Sequence, residues 1–351
     1  MIFEQVAQGG CQSYLVGCAK TRAAALIDAE VRQIERYKSL VDAHKLQLRY
    51  VIDTHTHADH FSAAKELGRI YGAEVVTSAL SPAPYATRRL RDGDTLDIGK
   101  LKAKAMATPG HTGDSMCLIV EDRVFTGDTL LIGGTGRTDL PTGDPEMLYD
   151  SLFNKLLKLD RKLLVYPAHD YKGRSCSTIG EEIDGNPRLQ KRDRGEFVEM
   201  MRSLSLSMPE HLTEALRVNL SGAKSVAQLL NEAAATVPLY PIDDLKARLG
   251  AADNDLVVVD VRERDAYEAA HIPGARHLPR GQLELRVNQA FPDPNVRIVA
   301  YCEVGKVSTL AAATLKELGF PNVMGLDAGI KTWIERGYPT ESGPAPTRPE
   351  S

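Results

Sequence analysis

The stretch Thr54-His55-Thr56-His57-Ala58-Asp59-His60 places three imidazoles and a carboxylate within six residues of a chain that holds nine histidines in all. Neutral imidazole nitrogens and ionised carboxylates suit a divalent first-row metal. The apolar run Tyr50-Val51-Ile52 precedes the cluster and a helix is expected from Phe61 to Tyr71. A loop between strand and helix can converge such donors on one point. Partners follow downstream: His111 in Thr108-Pro109-Gly110-His111-Thr112, Asp128 in Phe125-Thr126-Gly127-Asp128-Thr129, and His169 in Tyr166-Pro167-Ala168-His169-Asp170. Each comes after a short strand-like run, with Gly or Pro marking the turn. All four stretches therefore read as strand-end loops facing one site.

The elements that must position these loops follow from length and patterning. At 351 residues the chain suits two domains of ordinary size. A net charge of −4 gives no basic excess for nucleic acid, and no run approaches the ~18 apolar residues of a membrane span. Neither nucleic acid nor membrane is an expected partner. Met1-Ile2-Phe3-Glu4-Gln5 lacks the charged and apolar regions of a secretory signal, which points to the cytoplasm. Five widely spaced cysteines argue against a disulfide framework. Cys11, Cys18 and Cys117 read as small buried hydrophobes, while Cys176 stays undecided. Residues 1–30 read as a β-meander, Ile34, Tyr37 and Val41 share a helix face, and residues 190–216 are expected to be helical with Phe197, Met200, Met201 and Leu204 facing the core. A polar, small-residue stretch from Asn219 to Pro238 reads as a connection, with the boundary set near 235.

The order Thr-His-x-His-x-Asp-His, lone His, Asp and final His resembles the metallo-β-lactamase superfamily, which implies an αββα sandwich with metal at one edge of its two sheets. Just after Asp128, Gly136-Arg137-Thr138-Asp139 resembles a segment of persulfide dioxygenases, a branch close to glyoxalase II. Tyr166 to Arg174, Ser177 to Glu182 and Asn186-Pro187-Arg188-Leu189 extend that resemblance. It implies one Fe(II) per chain, held by His55, His111 and Asp128, with His57, Asp59, His60 and His169 as outer groups orienting the ligands. The implied reaction oxidises glutathione persulfide with O2 to sulfite and glutathione. Arg137, Tyr171, Lys172 and Arg174 are the expected contacts to glutathione, whose carboxylates call for cations. The same donors suit two zinc ions of a glutathione thioester hydrolase, and ligand identity alone leaves both open.

Beyond the connection, the continuous apolar runs Leu256 to Asp260 and Val296 to Tyr301 alternate with helical segments, the mark of a parallel, helix-covered sheet. Val259-Asp260-Val261-Arg262-Glu263, His271-Ile272-Pro273-Gly274-Ala275 and Tyr301-Cys302-Glu303-Val304-Gly305-Lys306-Val307-Ser308 resemble a rhodanese domain, assigned to 236–343, followed by a Pro-rich, disordered tail, 344–351. The fold class is thus α/β in both domains. Backbone N–H groups at a helix start stabilise an anionic sulfur, so Cys302 is the expected nucleophile that takes up sulfane sulfur as a cysteine persulfide. Its sulfur-binding loop would be Glu303, Val304, Gly305, Lys306, Val307 and Ser308. Rhodanese loops commonly carry a cation after the Cys and another five places on; here Glu303 and Val307 stand there. The resulting expectation is a bifunctional enzyme of sulfur metabolism handling glutathione persulfide, glutathione, O2, thiosulfate and sulfite, with self-association left open. A docking or sensing role for the second domain is the alternative.

Overall fold

The computed structural model describes residues 1–208, 212–249 and 255–344, in two units, Met1–Ala223 and Lys224–Ser351. Of the tail expected to be disordered, residues 345–351 lie outside the described residues.

In the first unit β1 (Ile2–Gln8), β2 (Cys11–Gly17), β3 (Ala23–Ile27), β4 (Gln47–Ile52), β5 (Glu74–Ser78) and β6 (Arg88–Leu90) form one six-stranded sheet in chain order. The first three strands pair antiparallel as the expected meander, and β3 to β6 run parallel. The second sheet takes β7 (Thr95–Ile98), β8 (Leu101–Ala107), β9 (Met116–Val120) and β10 (Arg123–Gly127). A hairpin of β11 (Leu130–Leu131) and β12 (Gly134–Thr135) then stands apart before β13 (Leu164–Pro167) and β14 (Ser177–Thr178) complete that sheet as β14-β13-β10-β9-β8-β7.

Alternation of apolar residues decides how the sheets stack. Tyr14, Val16, Ile27 and Ile52 from the first sheet meet Leu96, Ala103, Leu118 and Phe125 from the second in one buried layer. The outer face of the first sheet, with Leu15, Leu26 and Val51, is covered by α1 (Ile34–Ala43) and α2 (Ala64–Tyr71), Ile34, Tyr37 and Val41 facing inward as their spacing requires. The second sheet's outer face is covered by α3 (Pro145–Tyr149), α4 (Ile179–Gly185) and α5 (Arg194–Arg202), with Phe197 and Met201 buried there. The expected αββα sandwich is therefore present.

Two boundaries differ from the sequence reading. α2 begins at Ala64 rather than Phe61, with Ala63 as its N-cap; just before it the Ser62 hydroxyl bonds both oxygens of Asp53 at 3.0 and 2.8 Å and accepts the Ala64 N–H at 3.1 Å, a local turn that holds the chain out of the helix up to that point. The long helix expected over 190–216 stops at Arg202, and a separate helix, α6 (Leu212–Ser221), carries Asn219.

The second unit begins with α7 (Val226–Thr236), where the sequence reading placed a connection. A Ser225–Gln228 capping box starts that helix. Its sheet is ordered β15-β19-β18-β16-β17 and parallel throughout, from β15 (Leu239–Tyr240), β16 (Leu256–Asp260), β17 (Arg276–His277), β18 (Arg297–Tyr301) and β19 (Val323–Leu326). α8 (Ile242–Arg248), α9 (Arg264–Ala269) and α12 (Gly329–Glu335) cover one face through Leu245, Tyr267 and Trp333. α10 (Leu283–Ala290) and α11 (Lys306–Glu317) cover the other through Val287, Ala311 and Leu315. Helices on both faces explain why β16 and β18 read as unbroken apolar runs.

Candidate metal centre and sulfur-transfer thiol

The histidine loop leaves the C-terminal end of β4 and is fixed from below by Asp28, which follows β3. Asp28 accepts the Thr54 N–H at 2.8 Å and the Thr54 hydroxyl at 2.9 Å. With its proton committed to Asp28, that hydroxyl accepts from His55 Nδ1 at 2.9 Å and leaves Nε2 free to ligate. His111 is set the same way, its Nδ1 donating to the Arg137 carbonyl at 2.8 Å. Asp128 follows β10, and its Oδ2 lies 3.5 Å from His111 Nε2. One donor atom from each of His55, His111 and Asp128 falls within 4.8 Å of the other two, and all three residues are buried.

A second group of donors flanks the first. His169, after β13, bridges two carboxylates, with Nδ1 2.7 Å from Asp128 Oδ1 and Nε2 2.7 Å from Asp59 Oδ2. His60 Nδ1 lies 3.3 Å from the same Asp59 oxygen. Burial would make His169 harder to protonate, but Asp128 and Asp59 outweigh it and hold the imidazole well above its ordinary range. Burial would likewise raise Asp59 and Asp128, and the same histidine overcomes it, keeping both carboxylates ionised. His55 behaves oppositely: burial first, then the neighbouring His57, lower it to about 3, so it stands as the neutral imidazole a metal needs. His57 is also held well below its usual value, by burial and then by His60. Both ring nitrogens of His57 and Nε2 of His60 are buried with no hydrogen-bond partner. His57, held neutral with Nε2 3.3 Å from Asp28, fits a cation, whereas at His60 the hydrogen bond to Asp59 overcomes burial and pushes the imidazole up to about 10.

In the second unit Cys302 follows β18 and is only 3% exposed. Gly305 takes φ +87 as the N-cap of α11, a backbone shape that favours glycine. The Ser308 hydroxyl lies 3.5 Å from Cys302 Sγ. The loop is anchored at its back, where the carbonyls of Cys302 and Glu303 accept the N–H groups of Ile330 and Lys331 at 2.9 and 3.1 Å. A Cβ at Gly329 would come within 2.6 Å of both carbonyl oxygens, so the close approach needs glycine.

Comparison with known proteins finds a match for each of the two units. The metallo-beta-lactamase superfamily profile matches residues 6–169, and the rhodanese-like domain profile matches residues 241–336. Bovine (Bos taurus) mitochondrial persulfide dioxygenase ETHE1 is 39% identical over 211 residues, covering 59% of this chain and 82% of the relative. The human protein of that name is 38% identical with the same coverage. The crystal structure of ETHE1 from Myxococcus xanthus superposes with a TM-score of 0.61 at 42% identity, covering 63% of this chain and 98% of that one. The chain belongs to the persulfide dioxygenase family. It carries in addition a C-terminal rhodanese-like domain. This family member has no described helix long and apolar enough to cross a membrane.

His111 and Asp128 open onto a cleft of about 660 Å³ lined by Cys11, Arg32, Arg137, Tyr171, Lys172 and Arg188 among others. Tyr171 and Lys172 line that cleft, and the Tyr171 ring stacks over His169 with centroids 5.9 Å apart. The Arg137 guanidinium is already engaged, bidentate to Asp139 at 2.6 and 2.7 Å and donating to the Ser207 carbonyl at 2.7 Å. Arg137 thus lines the cleft with its charge paired to Asp139, while its carbonyl accepts from His111. Arg174 points to Glu181 at 3.4 Å and is absent from the cleft lining. Reading the sequence missed three residues. Cys11, taken as a small hydrophobe, lies 3.6 Å from Asp59 and 3.8 Å from His60. Burial would raise its thiol, but hydrogen bonds with His169 and His60 bring it below its ordinary value. Arg188 reaches the cleft from the Asn-Pro-Arg-Leu turn and has no ion pair among the described residues. Asn219, placed in a connection, bonds the histidine loop from α6.

Proposed function

We propose that the N-terminal unit oxidises glutathione persulfide with O2 and water to sulfite and glutathione at one Fe(II) held by His55, His111 and Asp128. The observation that carries this reading is the convergence of two imidazoles and one ionised carboxylate, each imidazole with its other nitrogen already occupied. Two histidines and a carboxylate on one face leave room for both O2 and a sulfur donor. Fe(II), when bound, supplies the redox chemistry that side chains lack. The protein's part is to orient. Thr54 and the Arg137 carbonyl fix the two imidazole planes, and protonated His169 holds Asp128 in its ligating rotamer. Lys172 and Arg188 offer cations for the glutathione carboxylates, neither having an ion pair among the described residues, and the Arg188 guanidinium can bind a carboxylate through two N–H groups. His57, Asp59 and His60 set the field around this centre.

The rhodanese-like unit is assigned sulfane-sulfur transfer through Cys302 among thiosulfate, glutathione and its persulfide, and sulfite. Sulfite released at the first site is an acceptor for sulfur held at the second. We place this chemistry in the cytoplasm.

A two-zinc thioester hydrolase is the competing reading, favoured by the second donor group of Cys11, Asp59, His60 and His169, whose donor atoms also lie within 4.8 Å of one another. Metal content of freshly purified protein, with O2 uptake on adding glutathione persulfide, separates the two. One iron per chain and rapid uptake support the dioxygenase; two zinc ions, no uptake and hydrolysis of a glutathione thioester would sink it.

A further inference from the structure

The charges around Cys302 bear on which sulfur donor it accepts. Arg262, which follows β16, is spent on acids: Nε and Nη2 reach the fully buried Asp260 at 3.1 and 2.7 Å, and Nη1 reaches Glu303 at 3.4 Å. Nη2 also donates to the Ala270 carbonyl at 2.6 Å, so little of the fork remains for an incoming anion. Glu303 adjoins the reacting residue in sequence and keeps 60% of its side chain in solvent. Val304 and Val307 are exposed apolar side chains on the same loop, at 50% and 44%. Lys306 has no ion pair among the described residues and is the loop's cation. Asp260 and Glu303 therefore cancel Arg262 and Lys306, and the negative member nearest the thiol in sequence is Glu303.

Thiosulfate carries two charges within one bond of its sulfane sulfur, whereas an organic persulfide carries at most one there, on an apolar stem that the two valines can meet. We propose that Glu303 is a specificity-determining residue that biases Cys302 toward organic persulfides and against the thiosulfate dianion. This rests on the reading of Cys302 as the sulfur-accepting thiol. In the favoured step the Cys302 thiolate attacks the terminal sulfur of R–S–SH; the new S–S bond forms on Sγ, the old one breaks, and its electron pair leaves with R–S⁻. Charge is conserved and no external oxidant is needed.

The test uses the full chain without oxygen, so that persulfide is not consumed at the metal centre, and follows sulfur uptake on Cys302 by intact mass with thiosulfate and with glutathione persulfide. A unit charge about 6 Å away acts across water on one extra donor charge with roughly a threefold effect. The ratio of thiosulfate to persulfide kcat/KM should rise roughly threefold in Glu303→Gln and roughly tenfold in Glu303→Arg, and the gain should shrink at high salt. A ratio unchanged in both variants, with Cys302 still taking sulfur, overturns the role of Glu303 alone. Failure of the wild-type thiol to take sulfur from either donor overturns the transfer reading and this proposal with it.

Discussion

The side-chain amide of Asn219 donates to the backbone carbonyl of His60 at 2.8 Å from a helix more than 150 residues further along the chain. The same nitrogen reaches the His57 carbonyl at 2.9 Å, and Oδ1 accepts the Ser62 N–H at 3.0 Å. One buried side chain thus closes the histidine loop on itself. Replacing Asn219 with Ala leaves two buried carbonyls and an N–H unpaired, a cost of about 2–4 kcal/mol. Thermal unfolding should fall accordingly, and bound metal should fall with it; a variant of wild-type stability and metal content would show the clamp to be dispensable.

A Cβ at Gly136 would sit 2.1 Å from the Asp128 carbonyl oxygen and 2.8 Å from the His111 ring. Gly136→Ala must therefore displace the ligand pair. Metal content measured after dialysis should drop at least tenfold, as it should in His111→Ala, whereas the far-UV circular dichroism should stay close to wild type.

Asp53 lies buried beside Asp28, and burial first, then the Asp28 charge, push its carboxyl up to about 7. In the unfolded chain an aspartate ionises near 3.9, so the folded form binds the proton more tightly. Its contribution is complete below about pH 4 and is lost as pH rises through about 7, at up to about 1.4 kcal/mol per pH unit. Denaturant unfolding of metal-stripped protein should show this slope, and Asp53→Asn should flatten it. Equal slopes in the two proteins would remove Asp53 as the cause.

Cys302→Ser should abolish sulfur uptake from thiosulfate while oxygen consumption with supplied glutathione persulfide continues at the wild-type rate. Loss of both activities would count against independent sites.

Gly329 combines φ +72 with carbonyl oxygens 2.6 Å from any Cβ. Gly329→Ala should destabilise the rhodanese-like unit by about 2 kcal/mol or more and push the Cys302 loop outward. Faster reaction of Cys302 with a thiol reagent would report the displacement.

The donor residues were legible because chemistry restricts them: few side chains bind a metal, and His55, His57, Asp59 and His60 stand together in the chain. The strands were legible for a related reason. Faces that bury on both sides, as in β16 and β18, admit little but aliphatic residues. Helix ends were less so, since the start of α2 depends on a hydroxyl of Ser62 held by Asp53 rather than on propensity.

What the sequence by itself determined was the set of candidate donor groups, the order of the four loops and the presence of a cysteine just before a helix start. Only the tertiary structure decided which of those groups face each other, and which cations remain free. Arg137 and Arg188 are indistinguishable as residue types, yet Asp139 occupies the first and no acid the second. Cys11 and Asn219 read as ordinary core and connection because nothing local marks them. Their roles arise from contacts between segments far apart in the chain, which residue type and spacing do not encode.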